Sequence, residues 1–306
     1  MATYKMPIAL ADIQIPENYY SSFTRVFTPI VMDQLIESGY SGYLSEIIEF
    51  SGIGKYLRNG VTLREFLDWV YAQIIGSYRS EYAYKNAIAE KILLGRHSLN
   101  TSCMLKEFRV ENSRADVVIL NGTSNAYEIK SEYDSFGRLD KQISSYIKVF
   151  DFTNIITSGS QAKKLTFLPE SIGILELTEN YTIKNIRPAI SMKDKVDQGT
   201  IFDSLRKNEY LSIVKKHFGE IPDVPNTQIF DECKTFFLKL SPIMAHDEMV
   251  KVLKKRGDKQ LLKDLVSEIP RCLYAYIIDR KFNRSKAEKL NVLLSKTLEE
   301  ILGVSK

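Results

Sequence analysis

Residues 114–151 read RADVVILNGTSNAYEIKSEYDSFGRLDKQISSYIKVFD, and the fold turns on how this stretch folds. ADVVIL (115–120) and NAYEIKS (125–131) are short runs rich in β-branched and aromatic residues. They flank Asn121-Gly122, a pair suited to the positive φ of a tight hairpin turn. Two antiparallel strands are predicted. Side chains alternate along a strand, so Glu128 and Lys130 share one face while Tyr127, Ile129 and Ser131 share the other. A register centred near Gly122 or Thr123 sets Asp116 opposite the Glu128–Lys130 segment, on the same face. Two carboxylates and an ammonium therefore converge. The carboxylates repel, and a hard divalent cation with oxygen ligands offsets that repulsion directly. An ordinary salt-bridged surface cluster is the alternative, although the flanking runs VVIL and AYEI are apolar and unpaired charge is costly beside a core.

Upstream, Thr28 to Ser77 places apolar residues three and four apart between glycines, which predicts a few short helices. SEYAYKNAIAEKILLG follows as a longer helix, with Ser80 as N-cap, Gly95 as its stop and an apolar stripe of Tyr84, Ile88 and Ile92. MLKEFRV adds a strand before the hairpin, a helix over about 138–150 follows it, and NIIT, SIGILEL and YTIKNI are further strands. The order β-β-β-α-β predicts an α/β fold, with a mixed-sheet core over residues 78–185 between an N-terminal helical region (1–77) and a C-terminal one (186–306).

The chain's 306 residues are roughly two domains' worth. With 44% hydrophobic and 26% charged residues, it is neither largely disordered nor fibrous. A net charge of +4 does not by itself mark a nucleic-acid binder. Cys103, Cys233 and Cys272 lack C-x-x-C spacing, so neither a disulfide framework nor a zinc site is expected. With no long apolar run at the start and no span of eighteen apolar residues, a cytoplasmic protein without membrane partners is expected. His97, His217 and His246 have no nucleophile and carboxylate at a recognisable spacing, and Ser158-Gly159-Ser160 lacks the Walker spacing and lysine.

Asp116, followed by Glu128-x-Lys130 on the next strand and preceded by a glutamate-bearing helix, resembles the PD-(D/E)XK nuclease superfamily. The runs EYAYKN, EFRV, ADVVILNG, YEIKS, RLDKQ and VFD resemble, more closely, an uncharacterised bacterial family of predicted nucleases within it. Ala115 stands where the name-giving motif has proline, a relaxation many members share. The resemblance implies a restriction-endonuclease-like core in which Asp116 and Glu128 bind Mg2+ or Mn2+, Lys130 assists the nucleophilic water, and a helical glutamate completes the metal shell. At about 100° per residue, Glu81 lies about 20° from both Ile88 and Ile92 and Glu90 about 160° away, so Glu81 is the expected third ligand and Glu90 a solvated residue. Glu107 is a further acidic candidate.

Arg138, Gln142 and Tyr146 form an i, i+4, i+8 stripe on the next helix. A Gln-x-x-x-Tyr pair there is similar to that of the RecB-like branch, where it borders the active site and nucleic acid; an amphipathic helix with an idle polar edge is the alternative. Lys141, Lys148, Lys163 and Lys164 could reach phosphates, and Tyr127, Tyr133 or Phe136 could stack on an unpaired base. The expected function is metal-dependent hydrolysis of phosphodiester bonds, with DNA as substrate and a protein partner or a second copy as further candidates. Two rivals remain: a catalytically silent nucleic-acid-binding or protein-interaction module, and a defence or toxin effector activated by a partner.

Overall fold

A computed structural model describes residues 10, 12–57, 59–256, 259–279 and 282–303. Its centre is a mixed six-stranded sheet in sequential order: β1 (Cys103–Val110), β2 (Ser113–Leu120), β3 (Ser124–Lys130), β4 (Phe152–Thr157), β5 (Gly173–Leu177) and β6 (Ile183–Arg187). β1, β2 and β3 are antiparallel neighbours, β3, β4 and β5 run parallel, and β6 returns antiparallel to β5. The hairpin pivots at Gly122, whose φ of 70° a β-branched residue would resist. Leu120 pairs with Ser124 and Val117 with Tyr127, the register that the Asn121-Gly122 turn predicts. β3, flanked on both edges, is buried at all but one of its positions, as befits a central strand covered on both faces.

Helices flank the sheet, which makes the molecule an α/β protein. Before the sheet come α1 (Tyr20–Thr24), α2 (Pro29–Ser38), α3 (Gly42–Phe50), α4 (Leu63–Ser77) and α5 (Glu81–Ala87). Within the sheet's span lie α6 (Leu139–Tyr146) and α7 (Gly159–Ala162), and after it α8 (Gln198–Asp203), α9 (Lys207–Phe218), α10 (Ile229–Phe237) and α11 (Pro242–Leu253). The remaining helices are α12 (Lys259–Glu268), α13 (Tyr274–Asp279), α14 (Arg284–Ser295) and α15 (Leu298–Leu302). The single helix predicted from Ser80 to Gly95 is two: α5 gives way to a π-helix over Ile88–Leu94, helical residues run on through Gly95 to Arg96, and the Ser80 side chain makes no cap bond.

The chain packs as two compact units, and their limits differ from the predicted regions. One unit comprises residues 1–90, 179–181 and 258–306 in their described parts. Its core holds Phe23, Phe66, Trp69, Tyr71 and Tyr276, all buried. Within it Thr62 and Glu65 form a capping box on α4, and Thr62 bridges Thr297, tying the last helices to the first ones. The other unit comprises residues 91–178 and 182–257. There Phe108, Val118, Leu120, Ala126 and Phe150 pack with Phe202, Ile213, Phe237 and Met249 of the following helices. A second cluster joins Leu139, Ile143, Ile155, Leu165 and Ile174. The sequence reading placed all of 186–306 in one region; periodicity shows that a helix has an apolar stripe but not which elements cover it. Among the described residues no helix is long and apolar enough to cross a membrane, and the three cysteines are free and buried.

Candidate functional site

The site lies where two strands part. Pairing of β2 with β3 ends at Val117↔Tyr127, while β3 continues beside β4 to Lys130↔Thr157. One step beyond the last pair, Asp116 takes over a backbone role: its Oδ2 accepts the Ile129 N–H at 2.7 Å. By the hairpin's register Asp116 lies opposite Glu128.

Glu128 is only 2% exposed, so its charge survives only if donors replace the water it has lost. They do. Lys130 Nζ donates to Oε1 at 2.8 Å, and Gln142 Nε2 donates to the same oxygen at 2.5 Å. Lys130 Nζ also donates to Gln142 Oε1 at 3.0 Å, closing a three-membered ring of polar contacts. Tyr146 reaches into the fork from α6, its hydroxyl 2.8 Å from Glu128 Oε2 and 2.6 Å from the Arg114 carbonyl oxygen. Burial, and then the adjacent Glu128 carboxylate, push the Tyr146 phenol far above the usual tyrosine range, so it stays a hydrogen-bond donor. The Gln142–Tyr146 pair thus faces the site. Tyr146, however, is fully buried, and what it touches is the carboxylate rather than anything in solution.

Glu107 was the least specified candidate, and the structure gives it a place. It interrupts the β1–β2 ladder between Lys106↔Val117 and Phe108↔Ala115, which sets it opposite Asp116. Its φ is 52°, a left-handed conformation that is strained for a side-chain-bearing residue in a strand. Glu107 and Asp116 offer carboxylate oxygens within 4.8 Å of each other. Nothing in KEFRV announces that twist, because the pattern alternates like any strand.

Glu81 opens α5 in the first unit, while Asp116, Glu128 and Lys130 belong to the second. The exposures that the angular argument expected for Glu81 and Glu90 are reversed, while Glu81 stays a candidate ligand. Its side chain is 56% exposed and pairs with Lys85 at 2.6 Å, whereas Glu90, predicted to be solvated, is 9% exposed and lies 3.5 Å from Arg271. The stripe argument assumed that only one side of the helix is covered, whereas Ala87, Ile88, Ala89, Ile92 and Leu93 are all buried, so the side that carries Glu90 is covered as well. At the first position of a helix, moreover, a side chain leans away from the turns that follow.

Other candidates divide. Arg138, Lys141, Lys163 and Lys164 are exposed. Lys148, offered as a phosphate contact, instead pairs with Glu111 at 2.6 Å. Tyr127 is buried on the opposite face of β3, where burial pushes its phenol up to about 12; it cannot stack on a base. His246 does meet a serine and a carboxylate, which its sequence spacing hides: Nε2 lies 2.7 Å from Ser124 Oγ and Nδ1 3.4 Å from Asp247 Oδ1. Ser124 and His246 are fully buried, and Ser124 Oγ also accepts the Asp151 N–H at 3.0 Å. This trio ties α11 to the sheet and offers no route to a substrate.

The donor set at the fork suits a hard cation. Glu107 and Asp116 present only oxygen, within the reach of two ligands of one ion whose metal–oxygen distances are about 2.0–2.6 Å. Glu128 would join through an oxygen that already accepts a hydrogen bond, Oε2 having one donor and Oε1 two.

Comparisons with known proteins add a family. A region of 132 residues is 30% identical to Protein cII of Enterobacteria phage P4; the match covers 42% of this chain and 46% of that protein. The chain thus spans about half the length of the curated relative it matches. A protein of unknown function from Silicibacter pomeroyi is a structural neighbour at 20% identity and a TM-score of 0.28, covering 35% of this chain and 68% of that one. The profile of the family described as Bacteriophage P4 protein cII matches residues 76–269, more than half of the chain, and the chain belongs to that family.

Proposed function

We propose that the chain is a metal-dependent nuclease that hydrolyses phosphodiester bonds in DNA, as the PD-(D/E)XK resemblance of Asp116, Glu128 and Lys130 implies. The observation that carries this reading is the fork itself. A buried carboxylate is held against an ammonium at the carboxyl end of a central strand, beside two further carboxylates that share a neighbourhood. Asp116 and Glu107 would hold Mg2+ or Mn2+, with Glu128 beside them. When bound, such an ion polarises a phosphoryl oxygen and offsets the negative charge that grows there during hydrolysis. Lys130 supplies a fixed positive charge that can orient water and stabilise the same developing charge. Gln142 and Tyr146 hold Glu128 and so set the position of Lys130.

The test incubates purified protein with single-stranded, linear duplex and plasmid DNA in Mg2+ or Mn2+, alongside Asp116→Asn, Lys130→Ala, Glu107→Gln and Glu81→Ala. Asp116→Asn and Lys130→Ala should lower cleavage by at least about a hundredfold, on the scale of losing a principal catalytic group. The Glu81→Ala arm reads whether the helical carboxylate takes part. If wild type cuts no better than Asp116→Asn on any DNA or RNA, the proposal is wrong. A second reading, a chain that binds nucleic acid or protein without cutting it, is favoured by one observation: both Glu128 oxygens are already engaged. Binding without cleavage in the same assay would select it.

A further inference from the structure

The carboxyl ends of β3 and β4 carry a second feature that the proposed chemistry does not use. Lys130 and Thr157 are the last paired residues of the two strands, and the chain leaves each at the same rim. After Lys130 the turn Ser131–Asp134 is pinned from within. Asp134 Oδ2 accepts from both Ser131 Oγ (2.7 Å) and Ser131 N–H (2.8 Å). It is also pinned from the neighbouring strand's loop, where Gln161 Nε2 donates to the Glu132 carbonyl at 3.0 Å. Tyr133 projects from this fixed turn with 64% of its surface exposed. Phe136, half-buried, packs its ring 6.3 Å from that of Phe167 at an interplanar angle of 57°, and Phe167, on the turn Leu165–Phe167, is 54% exposed.

Single exposed apolar residues need no explanation. An exposed ring on a turn held from two sides, three residues from the candidate catalytic lysine, with a second exposed ring close in sequence to two lysines, does need one. Arg138, Lys163 and Lys164 are exposed and form no ion pair among the described residues, so their charge faces solvent on the rim that carries the rings. Rings that offer a face to solvent, interleaved with unpaired cations, match a polynucleotide whose bases are unstacked. Each base has a face to lay on a ring, and the backbone between bases needs the positive charge. A duplex offers the charge but not the faces, which are covered by its own stack.

The geometry points to single-stranded DNA as the occupant of this rim, with unpaired bases stacking on Tyr133 and Phe167 and phosphates tracking Lys163, Lys164 and Arg138. The inference deepens the nuclease reading, on which it rests for the choice of DNA, and names the form of substrate presented to Lys130.

The test measures binding by fluorescence anisotropy with the full chain in EDTA, so that neither cleavage nor an ion contributes. The probes are a labelled oligothymidylate, a blunt duplex of the same length and an oligouridylate. Oligothymidylate should bind about tenfold more tightly than the duplex, and Tyr133→Ala and Phe167→Ala should each weaken it about tenfold. Tyr133→Trp should retain binding, and the Lys163→Ala/Lys164→Ala double variant should flatten the salt dependence. Duplex bound as tightly as single strand, alanine variants within twofold of wild type, or tighter binding of oligouridylate would each overturn the inference. Asp116→Asn separates the two claims. If wild type and Asp116→Asn bind oligothymidylate alike while neither cuts in Mg2+, the nuclease reading fails and the rim assignment stands.

Discussion

A carboxylate taken out of water costs several kcal/mol unless donors and a counter-charge replace the solvent, and Glu128 shows how this chain meets that cost. One oxygen takes Lys130 and Gln142, the other takes the Tyr146 hydroxyl. Tyr146→Phe keeps the ring packed against Phe150 and removes the hydroxyl shared between Glu128 Oε2 and the Arg114 carbonyl oxygen. It should lower stability by about 1–3 kcal/mol, the cost of leaving a buried acceptor unmet, read from urea unfolding. A change below about 0.5 kcal/mol, the scatter of neutral surface substitutions, would mean that the phenol is not what satisfies Glu128. At this scale, what was legible in the sequence was alternation. The shared face of Glu128 and Lys130, and Asp116 across the hairpin from them, follow from a two-residue period and a turn at Gly122. Not legible was which face is covered how deeply, so Tyr127 looked available and is buried. Glu107, in a left-handed conformation that its neighbours do not signal, looked incidental and stands beside Asp116.

Among the elements, α11 carries titrating groups whose effects on stability fall in separate pH windows, His246 and Glu248 among them. His246 on α11 faces Ser124 of β3, with Asp247 and Asp151 close enough to act on its charge. Burial lowers its pKa, against the Asp247 hydrogen bond and the Asp151 charge that favour protonation. The unfolded chain therefore takes up this proton at a higher pH than the folded one. The contribution to stability is present above about pH 6.5, the ordinary histidine value, and is lost as pH falls below it. Glu248, also on α11, behaves as a held carboxylate. Burial alone would raise its pKa, but hydrogen bonds from Lys216 and Lys251 outweigh that and bring it down to about 2. Its contribution is present above the ordinary glutamate value of 4.5 and is lost as pH falls toward 2. Urea unfolding from pH 8 to pH 5 should show stability falling through the histidine window, and His246→Gln should flatten that fall. An unchanged slope in His246→Gln would remove the histidine from the account. Helices were legible as elements from their periodicity. The π-helix at Ile88–Leu94 was not, because its i→i+5 phase leaves no mark in a run that also fits an α-helix.

For the molecule as a whole, the succession of strands and helices, and with it the α/β class, was written in local pattern and turn residues. The division of the chain was not. Helices after residue 257 join the N-terminal unit while those of 198–253 pack on the sheet, and that choice depends on which apolar stripes find each other across long separations in sequence. Membership in the Bacteriophage P4 protein cII family covers the whole sheet, so the fork belongs to the family's matched region. Whether that fork captures an ion is the claim on which the nuclease reading stands. Calorimetric titration of Mn2+ into the full chain and into Asp116→Asn, with and without oligothymidylate, measures it directly. The account predicts a saturable binding heat in the wild type that Asp116→Asn abolishes; no uptake by the wild type, even with the polynucleotide present, would contradict it.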